Sequence, residues 1–503
     1  SYKLLGLTTA FSKKLKPILK GEQNIGLMLP TSGAGIIINF ALWMLGKTNS
    51  NLNFTNPPDV IEICATRADI KTILSSRLFF DKLKLKGNDF YTLQNKFRIL
   101  FMEDIAASVP KWKFIYYILR GMVMPTKCLE FMDCKKVNLS DVAMIMFSSG
   151  SEGNPKGVEL THANVMGNVR QISAVLNLGK EDMMMASLPI FHAFGLTVCI
   201  VMSLIVGTPI VAHPDPTDLK TIAKLVARFK VTHLIATNTF FRGFATNKNI
   251  HPLMFESLRY VIAGAEKLRT ETREIFFKKF GIVIYEGFGA TETTPGSSMN
   301  DKDILLDDLQ TVQVRCKHGT VGMPIPGTQY RIVDPETNKD LPVGEEGMVL
   351  IGGVQIMKGY LKDPERTRNA VIEKEGLRWY RTGDKGKVDE DGFLTIVDRY
   401  SRFAKLGGEM VSLGAVEGRI FDSHLFEGEE CIAVPAPDKV KGEQVLLFYV
   451  GAKSEDEVLK ILRGFLPPLM QPSRVVKIDA IPRLGNGKVD YEGAKKTAKE
   501  IVS

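Results

Sequence analysis

Val142-Ala143-Met144-Ile145-Met146-Phe147-Ser148-Ser149-Gly150-Ser151-Glu152-Gly153-Asn154-Pro155-Lys156-Gly157 is the stretch on which the fold turns. Residues 142–147 form an uncharged apolar run, the pattern of a strand buried on both faces. A loop rich in hydroxyls and glycine follows and carries one lysine, and residues 157–160 read as a returning strand. Glycines let backbone N–H groups surround an anion, hydroxyls add donors, and an ammonium offsets charge, so the loop is a candidate phosphate cradle. It is not the Walker pattern, because Lys156 is followed by Gly157 rather than Ser or Thr. The same residues also read as a plain glycine-rich hairpin.

Outward from this loop, short apolar runs alternate with amphipathic segments, the signature of α/β layering. Thr217 is expected to cap a helix in which Leu219, Ile222, Leu225, Val226 and Phe229 recur at helical spacing, and residues 232–236, 260–263 and 282–285 read as buried strands. Two of these run into glycine-containing loops, Gly264-Ala265-Glu266 and Gly287-Phe288-Gly289. In open α/β sheets, ligands bind at such carboxyl ends. The longest uncharged apolar stretch, residues 193–212, has the length of a membrane span. Gly207-Thr208-Pro209 divides it into a helix and a short strand, each too short to cross ~30 Å of hydrocarbon, so it reads as buried core. Residues 36–45, broken by Asn39, read the same way.

The 503 residues exceed what one hydrophobic core usually organises, and two domains are expected. Short strands and turn signals from about residue 320 to 398 suggest a β-rich subdomain, and the chain after Asp398-Arg399 carries its own helix and strand patterns. The expectation is an α/β protein: a large N-terminal domain of layered sheets and helices, residues 1–398, with that β-rich subdomain, and a small α+β C-terminal lid, residues 399–503. A content of 45% hydrophobic and 24% charged residues excludes global disorder. The net charge of +9, from 65 Lys and Arg against 56 Asp and Glu, is a mild bias that selects no nucleic-acid partner. Lys13, Lys14, Lys16 and Lys20 form an early basic cluster that either touches anionic lipid or is the solvated face of a short helix. Six cysteines without a C-x-x-C pair and seven histidines without H-E-x-x-H support neither a disulfide scaffold nor a zinc site, and point to a reducing compartment. No signal peptide opens the chain, and Ser1 in place of an initiator Met suggests a processed or excised fragment.

The 147–157 loop resembles the phosphate-binding signature of the adenylate-forming superfamily, which includes acyl-CoA synthetases, peptide-synthetase adenylation domains and luciferases. Other matches follow in the family's order. The resemblance implies that Ser148, Ser149, Gly150, Ser151, Gly153 and Lys156 hold ATP phosphates, and that Gly264, Ala265 and Glu266 pack on adenine. In Tyr285-Glu286-Gly287-Phe288-Gly289-Ala290-Thr291-Glu292 it lays Phe288, between Gly287 and Gly289, against the base. Thr291 would then contact phosphate and Glu292 hold Mg²⁺, for which a carboxylate is a suitable hard-oxygen ligand. Asp384, in Tyr380-Arg381-Thr382-Gly383-Asp384, is implied as the acceptor of the ribose hydroxyls, with Arg399 as a second contact. Lys488, in Gly485-Asn486-Gly487-Lys488, matches the mobile lysine of adenylation, and His192 the position beside the acyl pocket. Taken singly, Thr291-Glu292 is also an N-cap pair, Asp384 a turn residue, Lys488 a solvated lysine and His192 a core residue.

The hinge region departs from the family's usual G-R-x-K-D, because Ser401 and Arg402 stand where Lys-Asp is common. The run Arg402-Phe403-Ala404-Lys405, followed by Gly408-Glu409-Met410-Val411-Ser412-Leu413, resembles the acyl-acyl-carrier-protein synthetase half of the bacterial bifunctional 2-acylglycerophosphoethanolamine acyltransferase, and Leu52-Asn53-Phe54-Thr55 and Lys71-Thr72-Ile73-Leu74-Ser75-Ser76-Arg77 strengthen the match. That resemblance implies ATP and Mg²⁺ as cofactors, a long-chain fatty acid as substrate and acyl-carrier-protein as acceptor, with coenzyme A as the alternative. It also implies a role in lysophospholipid re-acylation, in the bacterial cytoplasm and in peripheral contact with the inner membrane. On this reading the chain is the synthetase portion of a longer polypeptide. A non-catalytic ligand-binding or scaffold protein that kept the fold is the reading from a different class.

Overall fold

The computed structural model describes residues 2–148, 155–406, 409–423, 430–438, 442–483 and 489–502. Two seven-stranded sheets organise the first 360 residues. In chain order, the first sheet contains β1 (Asn24–Met28), β2 (Thr48–Asn51), β3 (Thr72–Ser75), β4 (Arg98–Phe101), β5 (Val142–Ser148) and β6 (Lys156–Thr161). Its spatial order is β6-β5-β2-β1-β3-β4, with the short strand Gly359–Tyr360 added antiparallel on β6. The second contains β7 (Met184–Ala186), β8 (Ile210–Ala212), β9 (His233–Ala236), β10 (Tyr260–Ala263), β11 (Ile284–Gly289) and β12 (Gly296–Met299). Here β8-β7-β9-β10-β11 are parallel, while β12 and Met323–Pro324 continue the sheet antiparallel. The layered α/β architecture is therefore present.

Burial explains the unusual strand β2, whose Thr-Asn-Ser-Asn sequence is polar yet lies at the middle of its sheet. Asn39, from the apolar helix Gly33–Met44, accepts from Asn49 Nδ2 at 3.0 Å and Asn51 Nδ2 at 2.8 Å, and donates to Gly35 O at 2.8 Å. The polar residue that interrupts the 36–45 run is thus the hub of a buried network, where each group needs its partner. Trp43 of the same helix donates to Ala143 O at 2.8 Å and fixes the helix against β5.

Several local expectations shift. The helix Leu219–Phe229 is capped by Asp218, which accepts from Thr221 N at 3.1 Å, because the Thr217 hydroxyl is already engaged with Asp215 at 2.6 Å. Lys156 lies in β6 opposite Ser148, not in the loop, so the 142–161 segment is an antiparallel hairpin whose tip falls outside the described residues. Gly287-Phe288-Gly289 is not a loop either. The antiparallel partner β12 carries β11 through it, with Phe288 opposite Ser298. Residues Phe194–Met202 wind as a π-helix, then Ser203–Val206 as α-helix, and Gly195 to Met202 are all buried. The core reading holds for the π-helix, whereas Ile205 is exposed and Ile210–Ala212 are half-buried, and no helix among the described residues is long and apolar enough to cross a membrane.

Two compact units emerge: one from residues 1–150, 155–329 and 351–380, the other from 330–350 and 381–503. The expected boundary at 398/399 falls inside the second. That unit contains the hairpin from 381–388 to Leu394–Arg399 and a five-stranded sheet ordered Glu409–Ser412, Phe403–Leu406, Gly442–Tyr449, Cys431–Asp438, with Arg474–Lys477 also pairing with Gly442–Tyr449. The continuous apolar run at 445–449 follows from burial on both faces. Val445, Leu447 and Tyr449 pack with Val416, Ile420 and Val458, while Leu446 and Phe448 pack with Ala494 and Ala498.

Candidate active site

The helix His162–Leu176 follows β6 directly and begins with a capping box, Thr161 and Asn164 each bonding the other's backbone N–H. Asn164, Asn168 and Gln171 lie at i, i+4 and i+7, one face of the helix, and all are buried. Asn164 Nδ2 donates to Val354 O at 2.7 Å and Ile356 O at 2.8 Å. Asn168 donates to Gly296 O at 2.8 Å and accepts from Gly296 N at 3.0 Å, and Gln171 Nε2 donates to Gln355 at 3.1 Å. This polar stripe therefore fixes the segments before Tyr360 and after Glu292. No apolar periodicity announces it, but polar residues at helical spacing on a strand-following helix are its sequence signature.

Glu292 sits in a single 3-10 turn, Thr291–Thr293, immediately after β11. The turn is held by Thr294 Oγ1 donating to Gln355 O at 2.6 Å and by Met357 N donating to Glu292 O at 2.9 Å. Gly289 is required there: a Cβ at that position would lie 1.7 Å from Pro295 O. The Glu292 carboxylate is buried, with Lys156 Nζ at 3.2 Å and the Tyr360 hydroxyl donating to the same Oε1 at 2.8 Å. Lys156 Nζ also lies 3.3 Å from the Tyr360 oxygen and 5.0 Å from its ring centre. Burial first, and then the Glu292 charge and hydrogen bond, push the Tyr360 phenol far above its usual range, so it stays a donor. Tyr360 was absent from the sequence expectation. Its one signal is the Gly359-Tyr360 pair that joins the edge of β6 opposite Val158 and Glu159.

Ser148 Oγ is buried with no hydrogen-bond partner among the described residues. A buried donor at the end of β5, opposite Lys156, fits an anion. The Glu292 carboxylate is a hard-oxygen donor of the kind that Mg²⁺ takes. Ser149, Gly150, Ser151 and Gly153 lie outside the described residues, as does Lys488.

Gly264, Ala265 and Glu266 follow β10, with Ala265 at a left-handed φ of 68°. Glu266 Oε2 accepts from Thr239 N at 3.2 Å and from its hydroxyl at 2.9 Å, which fixes the loop. Phe288 is half-buried in the neighbouring β11, so both adenine candidates stand at the carboxyl ends of adjacent parallel strands. His192, half-buried, lies 4.7 Å ring to ring from Phe191, which meets Phe54 edge-on at 4.8 Å, just before the π-helix. In the second unit, Asp384 is buried and stands opposite Arg399 across the hairpin, with Arg399 Nε 3.2 Å from its Oδ1. Arg402, the hinge candidate beside Ser401, is enclosed: Nη2 lies 2.7 Å from Glu417, Nη1 3.7 Å from Asp398, and the guanidinium 4.0 Å from the Tyr491 ring centre. Burial opposes its charge, but Glu417, Tyr491 and Asp398 outweigh it and hold its pKa above the usual value.

The sequence matches the AMP-binding enzyme model over residues 8–361 and the AMP-binding enzyme C-terminal domain over 427–488. It is 31% identical over 361 residues to the long-chain-fatty-acid–CoA ligase of Salmonella typhimurium, covering 70% of this chain and 61% of that ligase's length. It is 29% identical over 498 residues to the Bacillus subtilis long-chain-fatty-acid–CoA ligase, covering 93% and 84%. Among solved structures, ATP-bound MatB from Rhodopseudomonas palustris superposes with a TM-score of 0.82 at 24% identity, covering 99% of this chain and 93% of that one. The B. subtilis o-succinylbenzoate coenzyme A synthetase with ATP and magnesium gives 0.79 at 20%, covering 97% and 92%. These two show the shared fold, and the relatives named are coenzyme A ligases rather than carrier-protein synthetases. With the family model matched over most of its length, the chain belongs to the AMP-binding, adenylate-forming enzyme family, whose cofactors are ATP and Mg²⁺.

Proposed function

We propose that this chain is an AMP-forming ligase that activates a long-chain fatty acid with ATP and passes the acyl group to coenzyme A. The observation that carries the reading is the buried Glu292 carboxylate held between Lys156 and Tyr360 at the base of the glycine-rich hairpin. A carboxylate resists nucleophiles because it is anionic and its leaving group would be oxide. Joining it to AMP with loss of pyrophosphate creates a good leaving group. Mg²⁺, when bound, supplies positive charge against the phosphates. Glu292 is the residue proposed to hold it, Tyr360 orients that carboxylate, and Lys156 adds a cation at the phosphate side. Thr291 and Ser148 offer hydroxyl donors, with Ser149, Gly150, Ser151 and Gly153 proposed to complete the phosphate loop. Gly264, Ala265, Glu266 and Phe288 are proposed for adenine, Asp384 and Arg399 for ribose, His192 for the acyl pocket, and Lys488 for the approach of the two anions.

The relatives' coenzyme A chemistry supports that acceptor over acyl-carrier-protein, whose support rests on the resemblance of residues 52–55, 71–77 and 402–413. Ser401 and Arg402 remain the proposed pivot of the C-terminal lid. The test is fatty-acid-dependent ATP–pyrophosphate exchange by the purified chain over a series of chain lengths, followed by acylation with both thiols offered. Exchange with long-chain acids and acylation of coenzyme A are expected. No exchange with any carboxylate would favour a ligand-binding scaffold, and acylation of carrier protein alone would reassign the acceptor.

A further inference from the structure

The helix Lys111–Val123 is apolar on two faces. Its inner face packs on the helix Tyr2–Ile18, so closely that a Cβ on Gly6 would lie 2.6 Å from the Ile118 side chain, and Phe114 meets Phe11 at 5.9 Å. Its outer face carries Trp112, Ile115, Tyr116, Leu119, Met122 and Val123, the three-and-four spacing of one helical stripe, all exposed and Val123 to 85%. The next helix, Thr126–Asp133, adds Phe131, exposed to 90%, and Met132. The three helices are held in this arrangement by Asp133, which pairs with Arg120 and with Lys13 at 2.9 Å, while Lys13 also donates to Met132 O at 2.9 Å. A stripe of this kind on a monomer's surface marks an interaction site.

Charge identifies what covers it. Residues 1–20 and 108–136, the segments that build this surface, hold eleven of the chain's 65 Lys and Arg and only two of its 56 Asp and Glu. That leaves 54 of each sign everywhere else, so these two segments hold the whole excess of +9. One of the two acids, Asp133, is already neutralised by Lys13 and Arg120. Lys111, Lys113 and Lys127 flank the stripe, with Lys113 5.6 Å from the Trp112 ring centre. We propose that this face is a peripheral docking surface for an anionic phospholipid bilayer. The Lys111–Val123 helix lies in the plane of the interface, with its outer stripe among the upper acyl chains and its lysines among the headgroups. Tryptophan and tyrosine beside lysine are the side chains that settle at this boundary, and several lysines near an anionic surface add a salt-sensitive attraction. The proposal stands independently of the acyl acceptor.

Trp112 reports the contact directly, since Trp379 is buried and Trp43 is half-buried with its N–H bonded to Ala143 O. The full chain is mixed with phosphatidylglycerol-containing or pure phosphatidylcholine vesicles and followed by flotation and tryptophan emission. Expected are co-flotation with anionic vesicles, a blue shift quenched by brominated lipid and lost in Trp112→Phe, and an about tenfold weaker association in high salt or with neutral vesicles. The double variant L119E/M122E, with an unchanged melting temperature, is expected to lose association about tenfold. Two results overturn the proposal: equal flotation of this variant and the parent, or an absence of vesicle binding by the parent together with a dimer that the variant abolishes. The latter assigns the face to a second copy. Should the variant fail to fold, bromolipid quenching of the parent against Trp112→Phe decides alone.

Discussion

Tyr360 is the residue whose importance rests on one atom. Its hydroxyl donates to Glu292 while the ring lies beside Lys156. Tyr360→Phe keeps the ring and removes the donor, so the carboxylate loses one of its two restraints in a buried site. A hydrogen bond to a charged group is worth about 1.5–3 kcal/mol, and a tenfold or greater fall in kcat for adenylation is expected, with a smaller change in fatty acid KM. An unchanged kcat in pyrophosphate exchange would show that Tyr360 only packs. The motif residues were legible because they are polar, glycine-rich and ordered along the chain. Tyr360, Asn168 and Gln355 were not, since their roles follow from hydrogen bonds to residues 68 to 184 positions away along the chain, which spacing does not encode.

At the scale of elements, the parallel core of the second sheet was readable from its apolar runs, whereas the ends of strands were not. The continuation of β11 through Phe288 depends on a partner strand, β12, that carries no strong apolar pattern. The same sheet contains a titrating group. His233 in β9 is buried, stacked on Tyr260 at 5.2 Å, with Nδ1 2.8 Å from the Thr232 hydroxyl. Burial lowers its pKa to about 4, Asp182 opposes this, and Arg259 and Lys302 reinforce it. The folded imidazole is therefore neutral where an unfolded one, titrating near 6.5, takes up a proton. Stability from this group is complete above pH 6.5 and falls as the pH drops towards 4, by at most about 1.4 kcal/mol per pH unit. His233→Gln removes that slope. The stability gap between parent and variant, from guanidinium unfolding midpoints, is expected to move in the variant's favour across this window. A pH-independent gap would mean that His233 is protonated in the fold.

On the scale of the molecule, the two compact units interleave along the chain, which composition and motif order did not reveal. Inside the second, Arg402 joins the segment after Leu394–Arg399 to the helix Leu413–Asp422 through Glu417, which also accepts from Ala433 N at 2.9 Å. Removing one member of a buried ion pair costs about 3–5 kcal/mol, because the other charge is left uncompensated. Glu417→Ala is thus expected to speed amide exchange in Leu413–Asp422 and Cys431–Asp438 while β5 and β10 keep their protection. Substituting Met for Arg402 and Leu for Glu417 together should recover most of the loss. Uniform deprotection of the whole chain would show that the pair also supports the first unit.

Because residues 1–20 and 108–136 hold the chain's net charge and also carry the exposed stripe of the Lys111–Val123 helix, electrostatic attraction and apolar contact belong to the same segments. Screening over about 8 Å at physiological salt confines that attraction to close range. A cation-exchange resin at low salt is therefore expected to hold the protein by these segments, which set the apolar stripe against the matrix.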